Sequence, residues 1–450
     1  MTDQTSTPAP SDGRRILSSS GQLLALRVGG LGVSFGLGVL LARVMGPTEF
    51  GIYTFVLAIL TLLMLPAKFG LPSLMTREIA KAGEDAPQIG MVLRWGRMWS
   101  LTASILVSAI SLLALWIFHE RIEGVSPWIV ALTFLNVPLL TFAFFDSAVL
   151  RGLKKPVASQ FPENVFRPLM MMILAGAVSL AVTGSRMSAD TALILNAVAA
   201  TGALIVVRWL TVTSLPAEAR SGDGIPRPDK ETRSVWFRAV LALALSGGIQ
   251  SLNEQIDILS LGFFGEAADV GIYRVASRGA FLVYFALLSV GMVASPYFAR
   301  YRKEGRMKEL QGIVTVASRA IFLAALVPAV LMIVFATPVM TLVFGAEYAA
   351  GALPLAILCA GQLANAATGA SIQLMNMSGH EGTVARAVTF GAVCNVVLNL
   401  SLVPFYGPTG AAIATAISVA IWNTYLWVAC RRTLGIDSSF LGLGLKKDVA

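Results

Sequence analysis

Four polar residues stand three, one and three positions apart in an otherwise apolar stretch: Gln250, Asn253, Glu254 and Asp257. On a helix that spacing puts them on one face. Arg274 and Arg278 are four apart in the next apolar stretch, again one turn of helix. Asp257 and Arg274 are nearly equidistant from the polar turn near 265; one turn deeper, so are Glu254 and Arg278. A charge at mid-membrane costs roughly 2.5–3.5 kcal/mol on insertion scales, so such groups persist where they meet a partner or a wet cavity. Two chemistries fit. In one, the acids and bases pair, which lets the hairpin insert. In the other they form a polar wall on a cavity that binds a substrate, with Glu254 and Asp257 placed to take up a proton or a cation. Arg27, in the first apolar run, either snorkels to the headgroups or points into the cavity and holds an anion. Lys68, Arg94 and Arg97 read as ordinary cations at inner helix ends. Asp146 is an acid for which Arg151 is a candidate partner.

Apparatus for bond making is missing from the sequence. The two histidines, His119 and His380, are far apart, and the three cysteines (Cys359, Cys394, Cys430) show no CxxC spacing. There is no GxxxxGK[ST] phosphate loop and no Asp-x-Asp pair. The expectation is a protein that is not an enzyme and carries no cofactor or metal.

The elements that must position these residues are apolar. Hydrophobic residues make up 56% of the chain and charged ones 13%, with mean hydropathy +0.74; soluble domains run at ~45–50% and ~25%. Runs long enough to cross a bilayer lie at 18–45, 49–70, 91–118, 127–150, 163–183, 189–214, 237–263, 268–298, 312–335, 351–377, 383–405 and 409–430. The 337–350 segment is too short to cross and reads as a turn or interfacial helix. With both termini inside, the inner segments hold 28 of the 34 Lys and Arg residues, the asymmetry that retained cytoplasmic cations produce. The net charge of +9 therefore reports topology and calls for no nucleic acid. The outer connectors are short.

The longest polar connector, 215–236, has linker chemistry, with six runs before it and six after. Residues 46–53 read GPTEFGIY and residues 265–273 read GEAADVGIY. Gly51 aligns with Gly271, Tyr53 with Tyr273 and Glu49 with Asp269. Each copy sits between the first and second runs of its half, so the halves are parallel repeats. The glycine suits a tight outer turn and the tyrosine an interfacial anchor. The predicted fold is all-α and integral to the membrane, with 12 transmembrane helices in two parallel six-helix bundles around a central cavity. Its parts are an N-terminal bundle (1–214), a cytoplasmic linker (215–236) and a C-terminal bundle with a cytoplasmic tail (237–450).

This arrangement, with an acidic-x-Gly-Ile-Tyr turn in each half, resembles the MOP exporter superfamily. LVFGAEY at 342–348, SGHEGTVAR at 378–386, NVVLNLSLVPFYGPTGAAIATAIS at 395–418 and RGLKKP at 151–156 are similar to its polysaccharide branch. The resemblance implies a flippase of the bacterial inner membrane. It would turn oligosaccharide repeat units on undecaprenyl pyrophosphate from the cytoplasmic to the periplasmic leaflet, for O-antigen, capsule or exopolysaccharide. It implies alternating access without ATP, driven by a proton or sodium gradient or by downhill removal of the product, and a polysaccharide polymerase as a candidate functional partner. Related peptidoglycan-precursor flippases use arginines of spans one, two and eight around the pyrophosphate. Arg27 and Arg274 match by span, whereas span two offers only Lys68. Gln250, Asn253 and Arg278 complete the expected substrate-binding set. Alternatives are a cation-coupled multidrug exporter of the same superfamily, a peptidoglycan-precursor flippase, a membrane glycan polymerase or ligase, and a non-transporting scaffold.

Overall fold

The computed structural model describes residues 10–65, 70–118, 126–181, 186–221 and 226–443, and among these there are helices and no strand. The long helices are α1 (Pro10–Leu63), α2 (Leu71–Ala82), α3 (Ala86–Phe118), α4 (Pro127–Gly152), α5 (Pro156–Ala181), α6 (Ala189–Ser214), α7 (Lys230–Phe264), α8 (Ala267–Lys303), α9 (Met307–Val334), α10 (Ala352–Ala367), α11 (Ser371–Met377) and α12 (Glu381–Thr433). Eight described helices are long and apolar enough to cross a membrane. Large apolar side chains such as Leu180, Val327 and Phe405 are exposed on them, as hydrocarbon-facing surfaces require. The chain is a multi-pass integral membrane protein.

Two of the long helices are each two helices joined at a glycine. Gly46 (φ 77, ψ 172) breaks α1 and Gly407 (φ 50, ψ −131) breaks α12, where the sequence places span ends at 45/49 and 405/409. Both glycines occupy the left-handed side of φ, which costs other residues strain, and each is followed by a proline that interrupts the helical bonding. The 337–350 segment does not cross: it is a short helix (Ala336–Val339), a π turn (Met340–Phe344) and a 3-10 turn (Ala346–Gly351).

The chain forms two compact units, which are not its two sequence halves. One holds 1–40 and 63–247; the other holds 41–62 and 248–450. The connector at 215–236 lies inside the first unit, and the passage between units falls at Gly247–Gly248 within α7.

In the first unit, α2 begins after Gly70, which has φ 92, and buries Leu71, Leu74, Met75 and Ile79, an i, i+3, i+4, i+8 stripe. This stripe packs with Trp95, Phe145, Val149, Trp236 and Val240. In the second unit, a strap follows α12. Gln311 donates to Asp437 O (2.9 Å) and accepts from Asp437 N (2.8 Å). Ser318 Oγ donates to Ser438 O (2.7 Å), and Phe440 stacks on Phe322. The expected cytoplasmic tail is thus, through residue 443, a folded brace across α9, α11 and α12.

Candidate functional site

Most of the residues singled out from the sequence lie in the second unit. Glu266 caps α8: its side chain accepts from the Asp269 backbone, and Asp269 Oδ2 accepts from Glu266 N (3.2 Å). This capping box gives the acidic residue of the second motif a local task. It also sends α8 back along α7.

Asp257 is buried, and four uncharged side chains donate to it. Tyr273 OH (2.5 Å) and Thr415 Oγ1 (2.7 Å) donate to Oδ2. Asn399 Nδ2 (2.8 Å) and Asn395 Nδ2 (3.4 Å) donate to Oδ1. Asn395 Nδ2 also reaches Asn253 Oδ1 at 3.3 Å. The carboxylate ties together α7, α8 and both limbs of α12.

Of the two readings of these residues, the acid–base pairing is not formed. Among the described residues no ion pair joins Glu254 or Asp257 to Arg274 or Arg278. The reason lies in α8, where Tyr273 reaches Asp257. Arg274, one residue on and about 100° round the helix, faces a cavity instead. That cavity, of about 140 Å³, is lined by Glu254, Arg274, Phe281, Tyr284, Gln362 and Thr415, with Asp257 and Tyr273 in its wall. The guanidinium of Arg274 makes no hydrogen bond or ion pair with any described residue; its backbone carbonyl accepts from Ser277 Oγ (2.9 Å). Arg278 is also on α8, mostly buried.

The two Gly-Ile-Tyr motifs meet within the second unit. A Cβ on Gly51 would overlap the Ala267 carbonyl oxygen and stand 3.0 Å from Gly271 N. A Cβ on Gly271 would overlap the Pro47 carbonyl oxygen and stand 3.1 Å from Gly51 N. The contact is reciprocal, as a two-fold relation between repeats requires. This corrects the expected roles. The motif glycines are not turn residues but permit backbone-to-backbone approach; the turn is made at Gly46. Nor do the tyrosines anchor at the interface, since Tyr53 and Tyr273 are buried. Arg43 Nε donates to Val343 O (2.8 Å) and its Nη2 to Leu342 O, while Tyr348 OH donates to Ala42 O (3.0 Å). These bonds hold the tip of α1 to the 336–351 segment.

In the first unit Asp146 pairs with Arg208 (3.1 Å), not with the expected Arg151, which donates to Ser159 (3.5 Å). Asp146 and Arg151 are five apart on one helix, the wrong spacing for a shared face, whereas α6 packs beside α4. The side chains of Arg27 and Gln250 lie outside the described residues, as do Lys68 and His119. Sequence reasoning missed Tyr273, Asn395, Asn399 and Thr415 as partners of Asp257. The four-residue spacing of the two asparagines in an apolar helix was the available signal.

A model of the family described as "Polysaccharide biosynthesis protein" matches residues 17–302, more than half of the chain. The chain belongs to this family. A curated relative of this chain is the "Probable low-salt glycan biosynthesis flippase Agl15" of Haloferax volcanii. It is 26% identical over 419 residues, covering 91% of this chain and 82% of the relative. Among solved structures, the lipid II flippase MurJ in an inward closed conformation superimposes with TM-score 0.71 at 14% identity, covering 91% of this chain and 87% of that one. An inward-facing multidrug resistance MATE family transporter of the MOP superfamily gives 0.69 at 14%, covering 90% and 94%. The chain therefore has the fold of these transporters, as the motifs at 46–53 and 265–273 led us to expect.

Proposed function

We propose that this protein is a flippase for lipid-linked oligosaccharide, carrying sugar units on undecaprenyl pyrophosphate from the cytoplasmic to the periplasmic leaflet of the bacterial inner membrane. Arg274 carries the reading. It is a membrane-embedded arginine on a cavity, its guanidinium without a hydrogen bond to any described residue, in a chain of the polysaccharide biosynthesis family. A guanidinium keeps its charge and meets phosphate oxygens through a planar fork. Arg27 and Arg278 would share the diphosphate, and Asn253 and Gln250 the adjoining polar face. The architecture behind the reading is twelve crossings in two six-helix bundles divided at 215–236, both termini cytoplasmic. The doubled α1 and α12 supply four of them. Access alternates between the two faces of the membrane without ATP.

Coupling is assigned to Asp257, with Glu254 at the cavity mouth. Around Asp257 the oxygens are the carboxylate, the Asn399 carbonyl and the Thr415 hydroxyl, while the Asn395 carbonyl already accepts from Asn399 Nδ2 (2.9 Å). They are hard ligands of the kind that suit a small cation, and Asn399 Oδ1 has no donor. A proton or sodium ion is the species that fits. A polymerase would consume the flipped units.

The test is deletion of the gene, with sidedness labelling of extracted lipid-linked sugars. Single units piling up on the cytoplasmic leaflet, with surface polymer lost, are the expected result. Units that reach the outer leaflet unpolymerised would refute it, as would an unchanged lipid pool with raised drug sensitivity. Complementation with Arg274→Ala should leave surface polymer absent at normal membrane level of the protein. Full polymer from that variant would remove the phosphate role.

A further inference from the structure

The first unit contains a second arginine whose guanidinium has no partner among the described residues. Arg97 lies in α3, a helix long and apolar enough to span, and among the described residues it makes no hydrogen bond and no ion pair. Its Nε is buried without an acceptor. Leaving a charged donor buried and unmet costs more than an ordinary lost hydrogen bond, so an ordinary inner-end cation does not account for it.

The local acid is already taken. Asp146 and Arg208 are the charges that act on Arg97, and Asp146 Oδ1 is bonded to Arg208 at 3.1 Å. Two guanidiniums and one carboxylate leave a net positive charge. The packing surface nearby holds a further unmet group. α3 and α4 run antiparallel, with Gly96 against Phe145 and Ser108 Oγ donating to Phe134 O (3.3 Å). One turn on from Arg97, on the Gly96 side of α3, Ser100 is buried and its hydroxyl has no partner. It can donate to an oxygen acceptor.

We infer that Arg97, with Ser100 and the free edge of Arg208, forms a phosphate-binding site in the first unit, separate from the cavity of Arg274. Its ligand is a phosphate group at the membrane, whether the diphosphate of a lipid-linked substrate or the headgroup of an anionic phospholipid. Charge-assisted bonds to phosphate are about twice as strong as neutral ones, and the site offers at least one buried cationic donor.

The experiment titrates inorganic pyrophosphate into the full-length protein in neutral detergent, followed by thermal shift. It is repeated in nanodiscs of phosphatidylcholine with and without phosphatidylglycerol. The proteins are wild type, Arg97→Gln, Arg97→Lys and Arg274→Gln. The expected result is that Arg97→Gln weakens the response about tenfold, that Arg97→Lys restores part of it, and that Arg274→Gln keeps the Arg97-dependent share. A response to pyrophosphate assigns the site to a diphosphate; a response to phosphatidylglycerol alone assigns it to a headgroup. Equal responses of wild type and Arg97→Gln, or loss with Arg274→Gln alone, would overturn the inference without touching the role of Arg274. So would no response to either probe in wild type.

Discussion

At the scale of the residue, Asp257 is the group on which most depends. Four neutral donors from α8 and both limbs of α12 converge on it, an arrangement that holds a carboxylate while leaving its charge unpaired. Asp257→Asn should therefore insert at close to normal level yet lose most transport and its response to a proton or sodium gradient. Parallel falls in level and transport, measured by quantitative immunoblot and lipid flipping in vesicles, would make the residue purely structural. Asp146 is the contrasting case, because its charge is met by Arg208. Arg208→Gln should lower thermal stability, since breaking a buried pair costs up to about 3–5 kcal/mol, with a half-exposed arginine placing this at the low end. Arg151→Gln should leave stability nearly unchanged. Melting curves of the two variants separate the partner seen here from the one that sequence proximity suggests.

At the scale of the element, the brace after α12 is a part that composition conceals, since DSSFLGLG reads as an ordinary polar tail. Asp437 organises it. Burial alone would push its carboxyl up, but donation from Trp427 Nε1 (2.8 Å), Ser439 N (2.9 Å) and Leu443 N (3.2 Å) outweighs that and holds it below the ordinary range. A carboxylate so held stabilises fully above its unfolded value, about 3.9, and the gain is lost as pH falls through the lower folded value. The brace should hold from neutrality to about pH 4 and loosen below it. Asp437→Asn should melt earlier at neutral pH, by about 2 kcal/mol, with the difference shrinking toward pH 3. The long helices were readable in advance because hydropathy sets them, and the breaks at Gly46 and Gly407 because Gly-Pro steps mark them. Tertiary partners were not: Tyr273, Thr415 and Arg208 reach their acids from other helices, and nothing in a single helix's spacing encodes which neighbour it will meet.

At the scale of the whole molecule, the meeting of the two motifs explains why a sequence repeats eight or nine residues at a distance. Gly51→Val or Gly271→Val should force the backbones apart, costing about 1–3 kcal/mol or more from overpacking, and should reduce flipping even where the protein accumulates. Ala at either position should be milder. Wild-type flipping with valine at both positions would show that the contact is dispensable. The same geometry has a bearing on ancestry. A half-length forebear with one such motif would have met a second copy of itself glycine to glycine, an isologous homodimer contact. Gene fusion makes that contact intramolecular, at high effective concentration. It also frees the two glycine-flanking sequences to diverge, as Phe50 and Val270 already have.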